Sequence, residues 1–585
     1  MYCIFFLLLF SPVAQADWVE RAWTRTVGPP GAAFVIIKGD SVFDRGGVGV
    51  TDLDRRLMVG KQTLFRAGSL GKTVVALGIF RLVEAGKLTL ESRIDSILPD
   101  LSAAYEWNEE LQVGHLLEHS SGLGDMRFNE YHTDKVLDLK SALAVNASSK
   151  TLRWSPGRVA SYSNIGYAVL ALVGERVSGQ QWQEWIEDAV FKPLGMKNSG
   201  FGVLPGESDR TYGHAGGHVL EDPQYLYAPS LSFYTNVADW TQLLQCLLRQ
   251  GAPILSPASV LRMESMRTTP AGRSGIEVGY GCGIQSDYVD GWLCRYHTGK
   301  IEGYTAVYEY YPAQNSGFAV FYNGRADQSI RTTPLVHACR SRCIRRQNLP
   351  DSPLFLKNPL KKIEPADFAG TYAFANPRIE VPGFYDEWML ETEVEWLGDR
   401  TFLIGGEKWF WIGSGRLVKS GAIHAGAVLG EDLVTGQRSL TIGKLYYLQG
   451  GQAIWRQAFR WSLWGISMGL LLWTLGMWIW KEGFRPGSWM ALVFPIMAGE
   501  GAFKWMLTCD PTVLGQVSLN TVGIFILSLL VVAFTAFGGY ALFRYARQLK
   551  GKWYYWPWVI LGLLDIGFCW ALWQRDLLGL ALWAY

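Results

Sequence analysis

The sequence predicts an α+β fold: an antiparallel sheet flanked by helices, then a small all-β domain and a four-helix membrane region. Three observations carry this reading. Residues 17–345 mix apolar helical stretches with paired strand patterns. Residues 367–450 hold short alternating segments between turn residues. Beyond residue 461 come four apolar runs of membrane-spanning length. The chain, at 585 residues, is long enough for all three parts. Its formal charge of +2 and lack of a basic patch argue against nucleic acid as a partner.

Residues 1–16 read as a secretory signal. Residues 4–10 are an apolar h-region, and Ala14-Gln15-Ala16 is an A-x-A cleavage site before Asp17. The n-region carries no Lys or Arg, which is atypical. Cys3 would leave with the signal, and Cys509 and Cys569 belong to the membrane part. Five cysteines remain, so at least one stays a thiol. Cys282 with Cys294, or Cys339 with Cys343, are possible pairs, but spacing alone fixes neither. No zinc pattern accompanies them.

Within residues 17–345, the first clear element is a helix from Val74 through Val83, with Gly86 as its stop. A second helical stretch covers 165–177, after a turn at Pro156-Gly157. Strands over 304–311 and 317–323 pair across Pro312 and a polar turn. Residues 346–366 are a linker rich in Pro, Lys and Asn. Residues 367–450 read as a small β-barrel or β-sandwich without a catalytic constellation.

The spans are expected at about 461–480, 488–508, 521–543 and 554–573. Lys481 and Arg485 follow the first; Arg544, Arg547, Lys550 and Lys552 follow the third. The positive-inside rule puts those loops in the cytoplasm and the soluble part outside, although Arg456 and Arg460 oppose it mildly. The predicted location is a bacterial cytoplasmic membrane, multi-pass, with the lipid bilayer as a partner. Glu500, Lys504 and Asp565 fall within spans and read as an internal ion pair plus a packed carboxylate.

Chemistry concentrates in three short elements. Ser69-Leu70-Gly71-Lys72 opens the first helix, so the hydroxyl and the ammonium share one face, a turn apart. Burial would lower the lysine pKa and make it a proton acceptor for the serine, which is then an activated nucleophile. Ala67-Gly68-Ser69-Leu70-Gly71 nearly matches G-x-S-x-G, but the antiparallel pattern downstream disfavours an α/β-hydrolase elbow. Tyr162-Ser163-Asn164 supplies a phenol that can act as a base beside a cation, and an amide that can hold the lysine and a substrate carbonyl. His297-Thr298-Gly299 precedes the paired strands, where a glycine permits close backbone approach and a strand edge can bind an extended peptide.

Taken together, these elements resemble the serine β-lactamase and penicillin-binding protein superfamily, and within it the class C β-lactamase and D-Ala-D-Ala carboxypeptidase branch. Leu64-Phe65-Arg66-Ala67-Gly68-Ser69 looks like the nucleophile approach. Leu116-Leu117-Glu118-His119-Ser120-Ser121-Gly122-Leu123 looks like the L-L-x-H-x-S-G-L signature. Pro156-Gly157 through Tyr162-Ser163-Asn164-Ile165-Gly166-Tyr167 looks like P-G-x-x-x-x-Y-S-N-x-G-Y, and His297-Thr298-Gly299 is the H-x-G form of the third motif. The likeness covers residues 30–325. Gly71 departs from the usual Ser or Thr, His297 replaces the Lys of true β-lactamases, and Lys300 stands where small residues are common.

The resemblance implies a β-lactamase/transpeptidase-like fold and an acyl-enzyme mechanism. Ser69 would attack, with Lys72 and Tyr162 sharing its proton. Asn164, His297, Thr298, Gly299 and Lys300 would bind substrate or line the oxyanion site, the backbone N–H groups of Ser69 and Lys300 holding the oxyanion. His119 reads as a packed structural residue. No metal or cofactor is implied. The substrate would be a small peptide, amide or ester: a D-amino-acid peptide, a peptidoglycan fragment or an exported metabolite. The alternatives are a non-catalytic cell-wall-peptide sensor and a weak β-lactamase.

Overall fold

The computed structural model describes residues 12–347, 365–378 and 390–450 apart from short gaps, and scattered helical positions between 522 and 566. The linker expected at 346–366 and the spans expected at 461–480 and 488–508 lie almost wholly outside the described residues. So do residues 1–11 of the expected signal and most of the runs 521–543 and 554–573, Glu500, Lys504 and Asp565 among them. Among the described residues, no helix is long and apolar enough to cross a membrane. Two compact units are present: residues 1–125, 133–369 and 395–446, and residues 126–132, 370–394 and 447–585.

The strands, in chain order, are β1 (Gly31–Lys38), β2 (Ser41–Gly49), β3 (Phe65–Arg66), β4 (Gly200–Phe201), β5 (Gly213–Ala215), β6 (His218–Leu220), β7 (Phe233–Thr235), β8 (Gly279–Tyr280), β9 (Gln285–Val289), β10 (Trp292–Ile301), β11 (Tyr304–Tyr311) and β12 (Ser316–Tyr322). Seven of them form an antiparallel sheet in the order β2-β1-β12-β11-β10-β9-β8. Every residue of β11 and β12 is buried. Antiparallel strands usually alternate because one face is wet; here helices cover both faces. On one, Phe34, Val307, Phe318 and Val320 pack with Trp18 and with Leu335, Val336 and Cys339 of helix Pro334–Cys343. On the other, Trp240 of helix Val237–Leu248 meets the rings of Tyr308 and Phe321, and the Thr73 hydroxyl of helix Gly71–Glu84 lies 2.9 Å from that of Tyr308.

Helix Pro12–Trp23 runs through the Ala16–Asp17 junction. From Trp18 onward it belongs to the fold: the indole packs edge-on against Phe34 and donates to Asp44.

A buried ion network ties the sheet to helix Pro334–Cys343. Glu309 of β11 is fully buried and accepts from Arg331 Nε (2.8 Å), Arg340 Nη2 (2.7 Å), Arg340 Nε (2.9 Å) and the Tyr311 hydroxyl (2.7 Å). Cys246, Cys282, Cys294, Cys339 and Cys343 are all buried free thiols, so neither candidate pair is joined.

The all-β part is a closed eight-stranded barrel rather than a sandwich: β13 (Gly370–Phe374), β14 (Glu391–Gly398), β15 (Thr401–Ile404), β16 (Glu407–Gly413), β17 (Arg416–Lys419), β18 (Ala425–Glu431), β19 (Arg438–Ile442) and β20 (Leu445–Gln449). Closure leaves no exposed edge to aggregate. Phe402, Trp409, Trp411, Leu417, Leu429 and Leu440 are buried there.

Candidate active site

Ser69 lies in a 3-10 turn, Gly68–Leu70, that runs directly into helix Gly71–Glu84. That helix is buried along nearly its whole length, Lys72 included. It meets helix Asn164–Ser178 beside Trp185, whose ring occupies the space next to Gly78 and Gly174. This packing brings the first two sequence elements together. Gly71, the departure from the usual hydroxyl residue, has a local cause: a Cβ there would stand 2.7 Å from Phe233 Cβ and 2.8 Å from the Phe201 ring.

Lys72 Nζ lies 3.0 Å from Ser69 Oγ, 2.7 Å from Asn164 Oδ1 and 3.0 Å from the Ser230 carbonyl. The two carbonyl oxygens can only accept, so they take two N–H bonds of the amine. The remaining direction faces Ser69 Oγ. A neutral amine so placed is suited to receive the serine proton along that line, and an ammonium to return one. The Tyr162 ring centroid is 4.9 Å from Nζ, so the phenol shares the cation's field.

Asn164 is held from behind. Its backbone N–H and its Nδ2 donate to the two oxygens of Asp125, at 2.8 and 3.1 Å. A carboxylate on the amide nitrogen turns Oδ1 toward Lys72. Sequence reasoning missed Asp125 and the Ser230 carbonyl; neither falls in a three-residue motif, and a backbone carbonyl leaves no mark in composition.

His119 has the packed position expected of it. Its Nδ1 accepts from the Ser163 N–H at 3.1 Å, and its ring lies 4.2 Å from that of Tyr162. Ser163 caps the helix by accepting from Gly166 N–H, and donates to the Gly124 carbonyl. Glu118 accepts from Arg262 and from the backbone of Arg267 and Thr268.

The third element lies in β10. Strand β9 pairs with β10 from Trp292 to Tyr296, while His297 to Ile301 pair only with β11 among the described residues. Against that stretch sits the nucleophile turn. The close backbone approach expected at Gly299 is made by the protein itself: a Cβ there would come within 2.0 Å of the Ala67 carbonyl oxygen. Gly299→Ala is therefore expected to push the Ser69 turn away and cut acylation at least about 10²-fold, since a displacement near 1 Å suffices for that; stopped-flow labelling of Ser69 checks it. Thr298 is partly buried and Lys300 is exposed on the same strand.

His297 corrects the expectation of a substrate-facing side chain. The imidazole is 1% exposed. Nδ1 is 2.8 Å from the Thr298 carbonyl, which fixes the proton on Nδ1, so Nε2 accepts from the Tyr280 hydroxyl at 2.8 Å. Burial, reinforced by the Lys72 charge, pulls its pKa down to about 3 and keeps it neutral. Its role is to fix Tyr280, whose ring is 5.8 Å from that of Tyr162.

The Beta-lactamase family profile matches residues 17–337, more than half of the chain. The chain belongs to the beta-lactamase family. Within the family it is 31% identical to "Penicillin-binding protein 4" of Amycolatopsis lactamdurans over 193 residues, covering 32% of this chain and 49% of that protein. It is 24% identical over 308 residues to "Protein flp" of Staphylococcus aureus (strain MW2), covering 50% of this chain and 59% of that protein. The chain thus spans about half the length of the curated relatives it matches. Among solved structures, the octameric penicillin-binding protein homologue from Pyrococcus abyssi aligns with 75% of this chain and 100% of its own, at 20% identity and a TM-score of 0.48. The family profile covers Ser69, Lys72, Tyr162, Asn164 and His297–Lys300 alike.

Proposed function

We propose that this protein is a membrane-anchored serine hydrolase of the class C and D-Ala-D-Ala carboxypeptidase type, acting outside the cytoplasm on a small peptide, amide or ester. The observation that carries the reading is the 3.0 Å contact between Ser69 Oγ and the buried Lys72 Nζ. A buried lysine held on two fixed acceptors and aimed at a serine suits proton transfer.

Ser69 Oγ attacks the substrate carbonyl carbon while its proton passes to Lys72 or Tyr162. The oxyanion rests on the backbone N–H groups of Ser69 and Lys300, worth roughly 3 to 4 kcal/mol per donor. The C–N or C–O bond breaks as the leaving group takes that proton. Water then attacks the ester carbonyl carbon, its proton going to the same base, and the acyl–Oγ bond breaks as that proton returns to Ser69 Oγ. The edge of β10 beside the nucleophile suits an extended substrate backbone, which favours a peptide. The signal pattern and the loop charges support the outer location.

The test is covalent capture. A fluorophosphonate or penicillin probe is expected to add its mass to the peptide containing Ser69, and Ser69→Ala to abolish the adduct. Hydrolysis of a D-amino-acid peptide library, followed by mass spectrometry, should vanish in the same variant. A folded protein whose Ser69 never labels is a binder instead.

A further inference from the structure

Strands β15 to β19 belong to the same compact unit as the hydrolase domain. Val428 of β18 shares a small core with Met266, Ala271 and Ile276. Tyr288 of β9 stacks on His424, with ring centroids 3.8 Å apart. A third contact reaches the loop that carries Tyr162. Asp432, in the turn between β18 and β19, is 2% exposed. Arg158 donates to both of its oxygens, Nε to Oδ2 at 2.9 Å and Nη2 to Oδ1 at 3.0 Å. Such a fork fixes direction as well as distance. Oδ2 also accepts from the Tyr446 hydroxyl (2.7 Å), and Oδ1 from the Thr435 N–H (2.8 Å) and hydroxyl (2.9 Å). The carboxylate is thus locked on its own side. Burial, the largest influence on Asp432, would raise its pKa; the bonds from Arg158, Tyr446 and Thr435 outweigh it and keep the group ionised.

Arg158 stands four residues before Tyr162. Backbone bonds pin the loop on either side of Arg158. The Gly157 N–H donates to the Ser120 carbonyl and the Ser161 N–H to the His119 carbonyl, both at 2.7 Å. Between these pins Val159 is buried and Arg158 turns to Asp432. The Arg158 side chain is only 18% exposed. A mostly buried cation that loses its carboxylate is strongly disfavoured there and turns toward water. Residues 158–161 move with it, and Tyr162 is next in the chain. Its ring centroid lies 4.9 Å from Lys72 Nζ and 4.2 Å from that of His119, so a small shift of the loop changes its distance from the cation.

We infer that Asp432 is a positioning residue for the reaction: through Arg158, the β18–β19 turn holds the loop that places Tyr162 beside Lys72. The inference rests on the hydrolase reading above, since it needs Tyr162 to share the serine proton, and it deepens that reading by giving the barrel a part in catalysis. Asp432 touches neither substrate nor nucleophile. Its effect passes along a single fork and four residues of chain.

The test is the rate of fluorophosphonate labelling against pH in the full-length protein, taken per molecule that labels. Asp432→Asn keeps the side-chain shape but puts an amide donor in place of one acceptor oxygen. It is expected to slow labelling about tenfold, where a displacement near 1 Å costs about 10²-fold. Arg158→Gln, whose side chain is partly exposed, should do the same if the buried Asp432→Asn fails to fold. The double variant should be no slower than either single one, because the two residues act as one unit. Tyr162→Phe identifies the limb of the pH profile that belongs to the phenol. In both single variants that limb should move to higher pH by about half a unit, because a phenol drawn away from Lys72 loses the cation's help in ionising. A general loosening of the fold lowers the labelled fraction and leaves the limb in place. Single variants within about twofold of wild type, an unmoved limb, or additive losses in the double variant overturn the inference. If Tyr162→Phe labels as fast as wild type, the inference falls and the hydrolase reading stands on Ser69 and Lys72. If the wild type never labels, the hydrolase reading falls and the inference with it.

Discussion

Replacing Lys72 with Met is expected to slow acylation of Ser69 by about 10²- to 10⁴-fold, the range a positioned acid–base group supplies. Met keeps the length of the side chain in a fully buried site but removes the atom that meets Ser69 Oγ, Asn164 Oδ1 and the Ser230 carbonyl. The check is the single-turnover rate of fluorophosphonate labelling, with circular dichroism to confirm the fold. A change below about tenfold would move the base away from Lys72, with Tyr162 as the remaining candidate. The variant should also melt earlier. Two buried acceptors lose their donor, at about 1 to 3 kcal/mol each.

Glu309→Ala should cause the largest loss of stability. It removes the carboxylate that Arg331 and Arg340 share beneath the sheet; Arg331 keeps Asp287 at 3.0 Å, while Arg340 loses both of its bonds to the carboxylate. Breaking a buried pair from one side costs about 3 to 5 kcal/mol. For a domain of this size that is a fall in Tm of about 10 °C, measurable by differential scanning calorimetry.

The same group predicts a pH effect. Burial, the largest influence, would raise the Glu309 pKa, yet the Arg340 and Arg331 bonds outweigh it and set it below its ordinary value of 4.5. A depressed carboxylate binds fewer protons folded than unfolded, so its stabilisation is complete above 4.5 and is lost as the pH falls through the folded value. Glu309→Ala should therefore show a flatter decline of Tm below pH 4.5 than the wild type.

Much of the site was legible because its chemistry is local. Ser69 and Lys72 are a turn apart, so helical periodicity alone places them on one face. The helix read from Val74 to Val83 runs Gly71–Glu84, the strands read at 304–311 and 317–323 run Tyr304–Tyr311 and Ser316–Tyr322, and Gly86 follows the helix at positive φ, all from patterns within each segment. His297 shows where such reading fails. The motif gives its position in β10, but only the fold shows that the Thr298 carbonyl and Tyr280 occupy both ring nitrogens. Gly299 likewise reads as room for a ligand, when the neighbour is Ala67.

The sequence by itself determined the α+β class, the order of the sheet-and-helix part and the β part, and the placing of Ser69 and Lys72 on one face. These depend on spacings of a few residues, where backbone geometry leaves little choice. Only the tertiary structure decided which groups hold that pair in place. Asp125 lies 39 residues from Asn164, and Ser230 lies 158 residues from Lys72. Contacts at such separations arise from packing between elements, and no local periodicity records them.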